Sequence, residues 1–415
     1  MKAIFKHALK RGQLRDGKCF IYSSLCNGIV WAKGEYMERE KMRSSNIELL
    51  RSVAMLMIIL SHIVGHCVNV QLTDKGSIER LGNGLFNYPA FYKKLMILDT
   101  LITFGVIGNV VFILMSGYFM VQKNVGGGID IVKISKKLLC QLGFTAIVLT
   151  VASTVCFRVK SDTFFNLINI QVFNSMSWFV GYYYTIILIA KFFLNDYLER
   201  MDNKKYISFL AVNFAFIQFG WTGGLAEGLI PGLRTLLTGI FLYALGGYFR
   251  KYDPLSKLRT YVFFLIIIIT YFFVNLSAYN MIENSIENYI RNKTEDDFIQ
   301  SIPSFPNYSI IIIIIGVCLF EIFKRARIPQ SKFVNYLGQS TFMVYLLHDN
   351  EFFYSIFDTQ DWITLLYHHP YRFVAKISIW SVGVFACGVM VYTFYIASAK
   401  LFDRYKGILF KTSRE

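Results

Sequence analysis

The chain has 415 residues, of which 54% are hydrophobic and 17% aromatic, and it carries a formal net charge of +16. Apolar content this high, gathered in long runs, excludes an ordinary soluble domain and sets the fold class as all-α, a polytopic integral membrane protein. The basic residues stand in short clusters between apolar segments and no nucleic-acid-binding motif is present, so no nucleic-acid partner is expected.

Residues 1–45 form a basic tail with one short apolar stretch, Cys19–Val30, and no convincing signal-peptide cleavage site. Residues 46–400 form the membrane domain. About ten transmembrane helices are predicted there, at 47–69, 99–121, 134–157, 177–196, 206–222, 230–249, 259–279, 307–323, 336–356 and 373–400. Residues 401–415 form a short tail. Of the 43 lysines and arginines, 31 lie in 1–46, 121–137, 191–205, 250–260, 324–332 and 400–415, whereas the alternate loops hold ten. The positive-inside rule then places both termini in the cytoplasm. The segments 70–98 and 280–305 become the longest external loops and are expected to line an external mouth.

No internal repeat is visible, which counts against transporter folds built from repeats. Gly126–Gly128 lacks a following Lys-Ser/Thr and reads as a linker rather than a phosphate cradle. The seven cysteines are odd in number and form no C-x-x-C pair, which argues against a disulfide framework or a zinc site.

Two ionisable residues interrupt the first span. Arg51 and His62 are eleven positions apart, so they share one helix face and are separated by ~16 Å along the axis. Such residues persist in a bilayer only when they face a protein interior or a wet cavity. In bland terms, Arg51 snorkels to the boundary and His62 makes one core hydrogen bond. In functional terms, arginine's planar fork suits a phosphate-bearing donor arriving from the cytoplasm. A neutral histidine deeper in the membrane can take a proton from a hydroxyl. Glu48 stands three residues before Arg51 and can pair with it. His66 follows His62 by four positions, a spacing that metal ligands also use. A metal would need further carboxylate or imidazole ligands, and there is no H-E-x-x-H, so no metal is expected.

These residues lie in segments that resemble the bacterial membrane acyltransferase family often called acyltransferase family 3. Its Arg-x10-His is matched by Arg51 and His62. Val111–Phe119, containing Ser116-Gly117-Tyr118, resembles the family's Phe-x-Ser-Gly-Tyr/Phe segment. Trp178–Tyr184 resembles its Trp-Phe/Tyr segment, and Tyr243–Tyr248 its small-residue and aromatic span end. Leu337–His348 resembles its Leu-Gly-x-Ser-Thr-Phe-x-x-Tyr-Leu-x-His segment. The resemblance spans roughly residues 46–400.

It implies a bacterial cytoplasmic-membrane enzyme that moves an acyl group, acetyl in the first instance, from acyl-CoA to a hydroxyl. The acceptor is a cell-surface carbohydrate or its lipid-linked oligosaccharide precursor. Acyl-CoA is the donor substrate, no cofactor is permanently bound, and oligomeric state is open. His62 would be the base or the acyl carrier and Arg51 would position the donor. Glu48, His66, Ser116, Trp178, Arg234 and His348 are further candidates for the donor or acceptor site. Each of the last four has a plain alternative: helix packing for Ser116, the aromatic belt for Trp178, snorkelling for Arg234, a core hydrogen bond for His348. Rival readings are a transporter or flippase of an anionic sugar lipid using the same polar cavity, and a sensor without chemistry.

Many family members begin a few residues before the arginine, and Met37 and Met42 stand where such a start would fall. The tail is therefore expected to be non-native or dispensable. Deleting residues 1–36 should leave membrane insertion and acyl transfer intact. A stably inserted truncation without activity would show that the tail contributes to the site.

Overall fold

The computed structural model describes residues 44–73, 90–122, 128–156, 178–218, 232–292 and 308–412, and among these it contains helices and no strand. The basic tail, except its last two residues, and much of the loops 70–98 and 280–305 lie outside them. The helices are α1 (Ser45–Ile63), α2 (Ala90–Met120), α3 (Ile131–Val155), α4 (Trp178–Ile189), α5 (Asn203–Gln218), α6 (Leu233–Tyr252), α7 (Thr260–Asn292), α8 (Ile310–Arg325), α9 (Lys332–His348), α10 (Glu351–Phe357), α11 (Trp362–His368) and α12 (Pro370–Thr412). A π-helical turn, Val64–Val68, continues α1 into Asn69–Thr73, and a second one, Ala190–Leu194, continues α4 into Asn195–Arg200.

Among the described residues, six segments are long and apolar enough to cross a membrane: Ser45–Leu72, Lys94–Met120, Ile131–Val155, Trp178–Arg200, Thr260–Asn284 and Pro370–Phe402. The spans expected at 206–222, 230–249, 307–323 and 336–356 overlap α5, α6, α8 and α9, which are not among those six.

The ninth expected span needs correction. It was expected to run through to 356 with His348 well inside it, but α9 ends at His348. Asp349 leaves helical geometry, and the Asn350 side chain accepts a hydrogen bond from Phe352 N at 2.9 Å to begin α10. Asparagine competes for backbone donors in this way and so starts a new helix. Elsewhere the starts follow the same chemistry. Asp130 caps α3 through Lys133 N (2.9 Å), Asp361 caps α11 through Thr364 N (3.0 Å), and α12 opens on Pro370, whose missing N–H costs nothing there.

α1 lies at the centre. It packs on α2 and on α9, and also touches α8 and α12. α6 backs α2, α12 backs α9, and α5 and α7 lie further out against α6 and α8. Burial follows this order, with half or more of the spanning windows of α1 and α2 buried and 17% of that of α7. The exposed face of α7, with Phe264, Ile268 and Phe272, suits hydrocarbon.

Apolar helices gain no hydrophobic drive from meeting inside lipid, so close backbone approach must supply the attraction. α2 and α6 meet at Gly117 and Gly246. A Cβ on Gly117 would collide with the Tyr243 carbonyl, and one on Gly246 with that of Leu114. At one end of the bundle Glu321 is fully buried, bound by Lys324 (2.6 Å) and Arg325 (3.0 Å). Burial pulls the Lys324 ammonium toward a lower pKa. The Asp253 and Glu321 carboxylates more than offset it and hold the group above its ordinary value.

Gly117→Ala should therefore destabilise the bundle by ~1–3 kcal/mol, the usual cost of overpacking. Thermal denaturation in detergent should show a lowered midpoint. An unchanged midpoint would mean that α2 and α6 do not approach this closely.

Candidate active site

α1 carries Arg51 in its second turn and His62 next to its last residue, on one face, as the spacing predicted. Arg51 Nη1 donates to Glu48 Oε1 at 3.2 Å, and Glu48 is buried while Arg51 is about one-third exposed. The pair is possible because Gly338 of α9 faces Glu48, and any Cβ there would strike the carboxylate. The glycine in Leu337-Gly338-Gln339-Ser340 thus makes room for the partner of Arg51. Nearby, Ser45 Oγ donates to Asn335 Oδ1 (2.9 Å) and accepts from Ser331 N (2.9 Å), locking the start of α1 to that of α9.

At the other end of α1, His62 meets His348. His62 Nδ1 is 3.0 Å from His348 Nε2 and the rings stack at 4.8 Å. His348 is almost fully buried. Its Nδ1 lies 2.6 Å from the carbonyl of Tyr345, which can only accept, so Nδ1 carries hydrogen. With both imidazoles neutral, His348 Nε2 is then a bare acceptor. His62 must donate to it through Nδ1–H. That leaves His62 Nε2 as an unprotonated lone pair, the state a general base requires.

Asp349 stands beside this pair, with Oδ2 3.5 Å from His62 Nδ1. Its other oxygen accepts from Tyr354 OH, and His66 Nε2 lies 3.9 Å from that same oxygen. A carboxylate here favours the imidazolium that forms when His62 takes a proton. Asp349 was absent from the expected site, although a charged residue next to His348 inside a predicted span is itself a signal of an intramembrane site.

His62 and His66 also line a cavity of about 680 Å³, together with Ser61, Thr103, Asn109, Trp178, Tyr182, Thr235 and Tyr308. Its wall is of mixed character, with aromatic faces beside hydroxyl and amide groups. Trp178 is 41% exposed, and its neighbour Phe179 docks on α9, where Phe179 N donates to Tyr345 OH at 3.3 Å.

The expected candidates therefore separate. His62, His66 and Trp178 share the cavity, and His348 joins them through His62. Glu48 and Arg51 form a separate cluster nearer the start of α1. Ser116 does not line the cavity, and its hydroxyl donates to Phe112 O at 2.8 Å within α2. It directly precedes Gly117, which meets the Tyr243 backbone of α6. Arg234 lies exposed in the first turn of α6, while its neighbours Gly232 and Thr235 reach the cavity.

The family model for the acyltransferase domain, Acyl_transf_3, matches residues 44–401. The chain belongs to acyltransferase family 3. Comparison with curated proteins and with solved structures found no match. With its apolar spanning helices, the protein is an integral membrane acyltransferase. The match begins at the residue that precedes α1 and stops within α12, so it covers both the arginine cluster and the histidine pair.

Asp349→Asn keeps size and removes charge. It should lower the turnover of the acyltransferase by up to ~10²-fold, the lower range of general-base contributions, with little change in KM for the donor. Steady-state kinetics of the variant in membranes measure this. A rise in donor KM at unchanged kcat would place Asp349 in donor binding instead.

Proposed function

We propose that this acyltransferase moves an acyl group, acetyl in the first instance, from acyl-CoA to a hydroxyl of a cell-surface carbohydrate or its lipid-linked precursor. The observation that carries this reading is the His62–His348 contact, which leaves a bare imidazole nitrogen on a residue that lines a cavity. A carbohydrate offers both hydroxyls and an apolar ring face. The cavity's aromatic rings and its Asn109, Thr103 and Thr235 groups are complementary to that mixture.

In the step proposed, the acceptor hydroxyl gives its proton to His62 Nε2 as its oxygen bonds to the thioester carbonyl carbon. The carbon–sulfur bond then breaks, and the CoA sulfur leaves with the proton returned from His62. Asp349 and His348 face the imidazolium between these events. In the alternative route the same Nε2 lone pair bonds to the thioester carbon, the carbon–sulfur bond breaks and the CoA sulfur leaves with the Nδ1 proton. The acceptor oxygen then bonds to the acyl carbon, the nitrogen–carbon bond breaks and the hydroxyl proton returns to the imidazole. Arg51 has the planar fork that grips CoA phosphates, and Glu48 aims it. Arg51 and His62 are separated along α1 by ~16 Å. That separation suits a donor entering from the cytoplasm and an acceptor held further out.

The excess of lysine and arginine in alternate loops supports both termini lying in the cytoplasm, and membership of the acyltransferase family supports a bacterial cytoplasmic membrane. A flippase would use the same cavity without needing a particular histidine tautomer.

His62→Ala should lower transfer by ~10²-fold or more at near-normal insertion, with His66→Ala milder. Arg51→Ala should mainly raise KM for acyl-CoA, and Arg51→Lys should restore it only in part because ammonium lacks the planar fork. Acetyl transfer by matched amounts of protein in membranes tests both residues. A His62→Ala protein with most of its activity would remove the centre of the enzyme reading and favour the flippase.

A further inference from the structure

The proposed chemistry does not use His66. A straight α-helix would set His66 one turn above His62. The backbone instead takes a π-helical turn at Val64–Val68, a feature frequent at functional sites. His66 stacks on Tyr354 at 4.7 Å, and Tyr354 bonds to Asp349. His62 Nδ1, His66 Nε2 and an Asp349 oxygen all lie within 4.8 Å of one another. His348 Nε2 adds a fourth lone pair, 3.0 Å from His62 Nδ1. The i, i+4 histidines lacked further ligands in the sequence, and the end of α9 supplies them.

Three nitrogens and one carboxylate oxygen are the donor set of a borderline-soft divalent ion such as Zn²⁺. Bonds of about 2.0–2.1 Å to a tetrahedral ion place ligand atoms roughly 3.3 Å apart. The 3.0 Å separation to His348 Nε2 and the 3.5 Å separation to Asp349 Oδ2 already match, and His66 Nε2, which lies 3.9 Å from the other carboxylate oxygen, joins the set if its ring swings toward Oδ2. The His66 side chain is 54% exposed and has room to do so. Two of the donors also have their outer atoms held: Tyr345 O binds His348 Nδ1, and Tyr354 OH binds Asp349. Metal ligands are typically oriented by such partners.

We propose that His62, His66, His348 and Asp349 form a zinc-class metal site whose occupation switches the transferase off. The binding half stands on the donor geometry alone, and the inhibition half rests on the function proposed above. A metal on His62 takes the Nδ1 lone pair. The single proton of the neutral imidazole then moves to Nε2 through solvent, with no net release. Nε2 becomes a donor and can no longer accept the hydroxyl proton. The metal also occupies the His348 nitrogen that holds the active tautomer.

The test uses the full-length protein in detergent, stripped with chelator and dialysed against buffered ZnCl2, with MgCl2 in parallel. Wild type should bind about one zinc per chain and no magnesium. His66→Gln and Asp349→Asn should each weaken zinc binding roughly tenfold or more. Zinc should inhibit wild-type transfer, chelator should restore it, and inhibition of His66→Gln should need roughly tenfold more zinc. Wild type without bound zinc, or variants that bind as tightly as wild type, would overturn the site. Zinc that binds but leaves transfer unchanged or raises it would overturn the switch. Wild type that binds zinc but shows no transfer before zinc is added would instead count against the acyltransferase reading, and the metal count would still judge the site.

Discussion

The hydrogen bond from His62 Nδ1 to His348 Nε2 joins α1 to the end of α9, and the site depends on where its proton sits. The Tyr345 carbonyl makes that choice. Because it can only accept, it fixes His348 as a donor through Nδ1, and the choice passes to His62. A backbone oxygen in the last turn of α9 thereby sets the protonation of a side chain on another helix. The arrangement needs α9 to stop at His348, since a continuing helix would engage that carbonyl in its own ladder. Asp349 and Asn350 impose the stop, and Asp349 serves the site as well.

The rest of the bundle keeps α1 and α9 in register. The Ser45–Asn335 and Ser45–Ser331 bonds pin their starts, and Glu48 occupies the space left by Gly338. From behind, Gly388 of α12 brings its backbone against Val344, where a Cβ would lie 2.6 Å from the Val344 Cα. In lipid, where burial of apolar surface gives no drive for association, these contacts and the glycine approaches of α2 and α6 carry the specificity of packing. Polar groups gathered along one helix face are costly to desolvate singly, and each here has a partner on α1 or α9 or opens to the cavity.

The two clusters on α1 divide the work by chemistry. Arg51 is about one-third exposed on the buried Glu48 that pairs with it, an arrangement suited to catching a charged donor. The histidines carry no required charge and sit beside aromatic rings, suited to a neutral hydroxyl compound. The same histidines with Asp349 resemble a metal ligand set because a base held by a carboxylate and a second imidazole uses the same atoms as a metal does.

Hydropathy by itself determined the all-helical membrane class, since apolar runs of this length have few other solutions. The Arg51–His62 spacing determined that both side chains share a face, because both lie on one regular helix. The pairing of Glu48 with Arg51 was legible for the same local reason. Three features needed the tertiary structure. Asp349 is distant in sequence from His62 by more than 280 positions, so only the packing of α9 on α1 makes it a neighbour. Ser116 and His348 look alike as polar residues in motif segments, yet one faces its own helix and the other faces His62, a difference set by helix rotation within the bundle. His66 keeps its i, i+4 spacing on paper, but the π turn changes its direction. Whether a helix widens there depends on what packs around it, which no local pattern records.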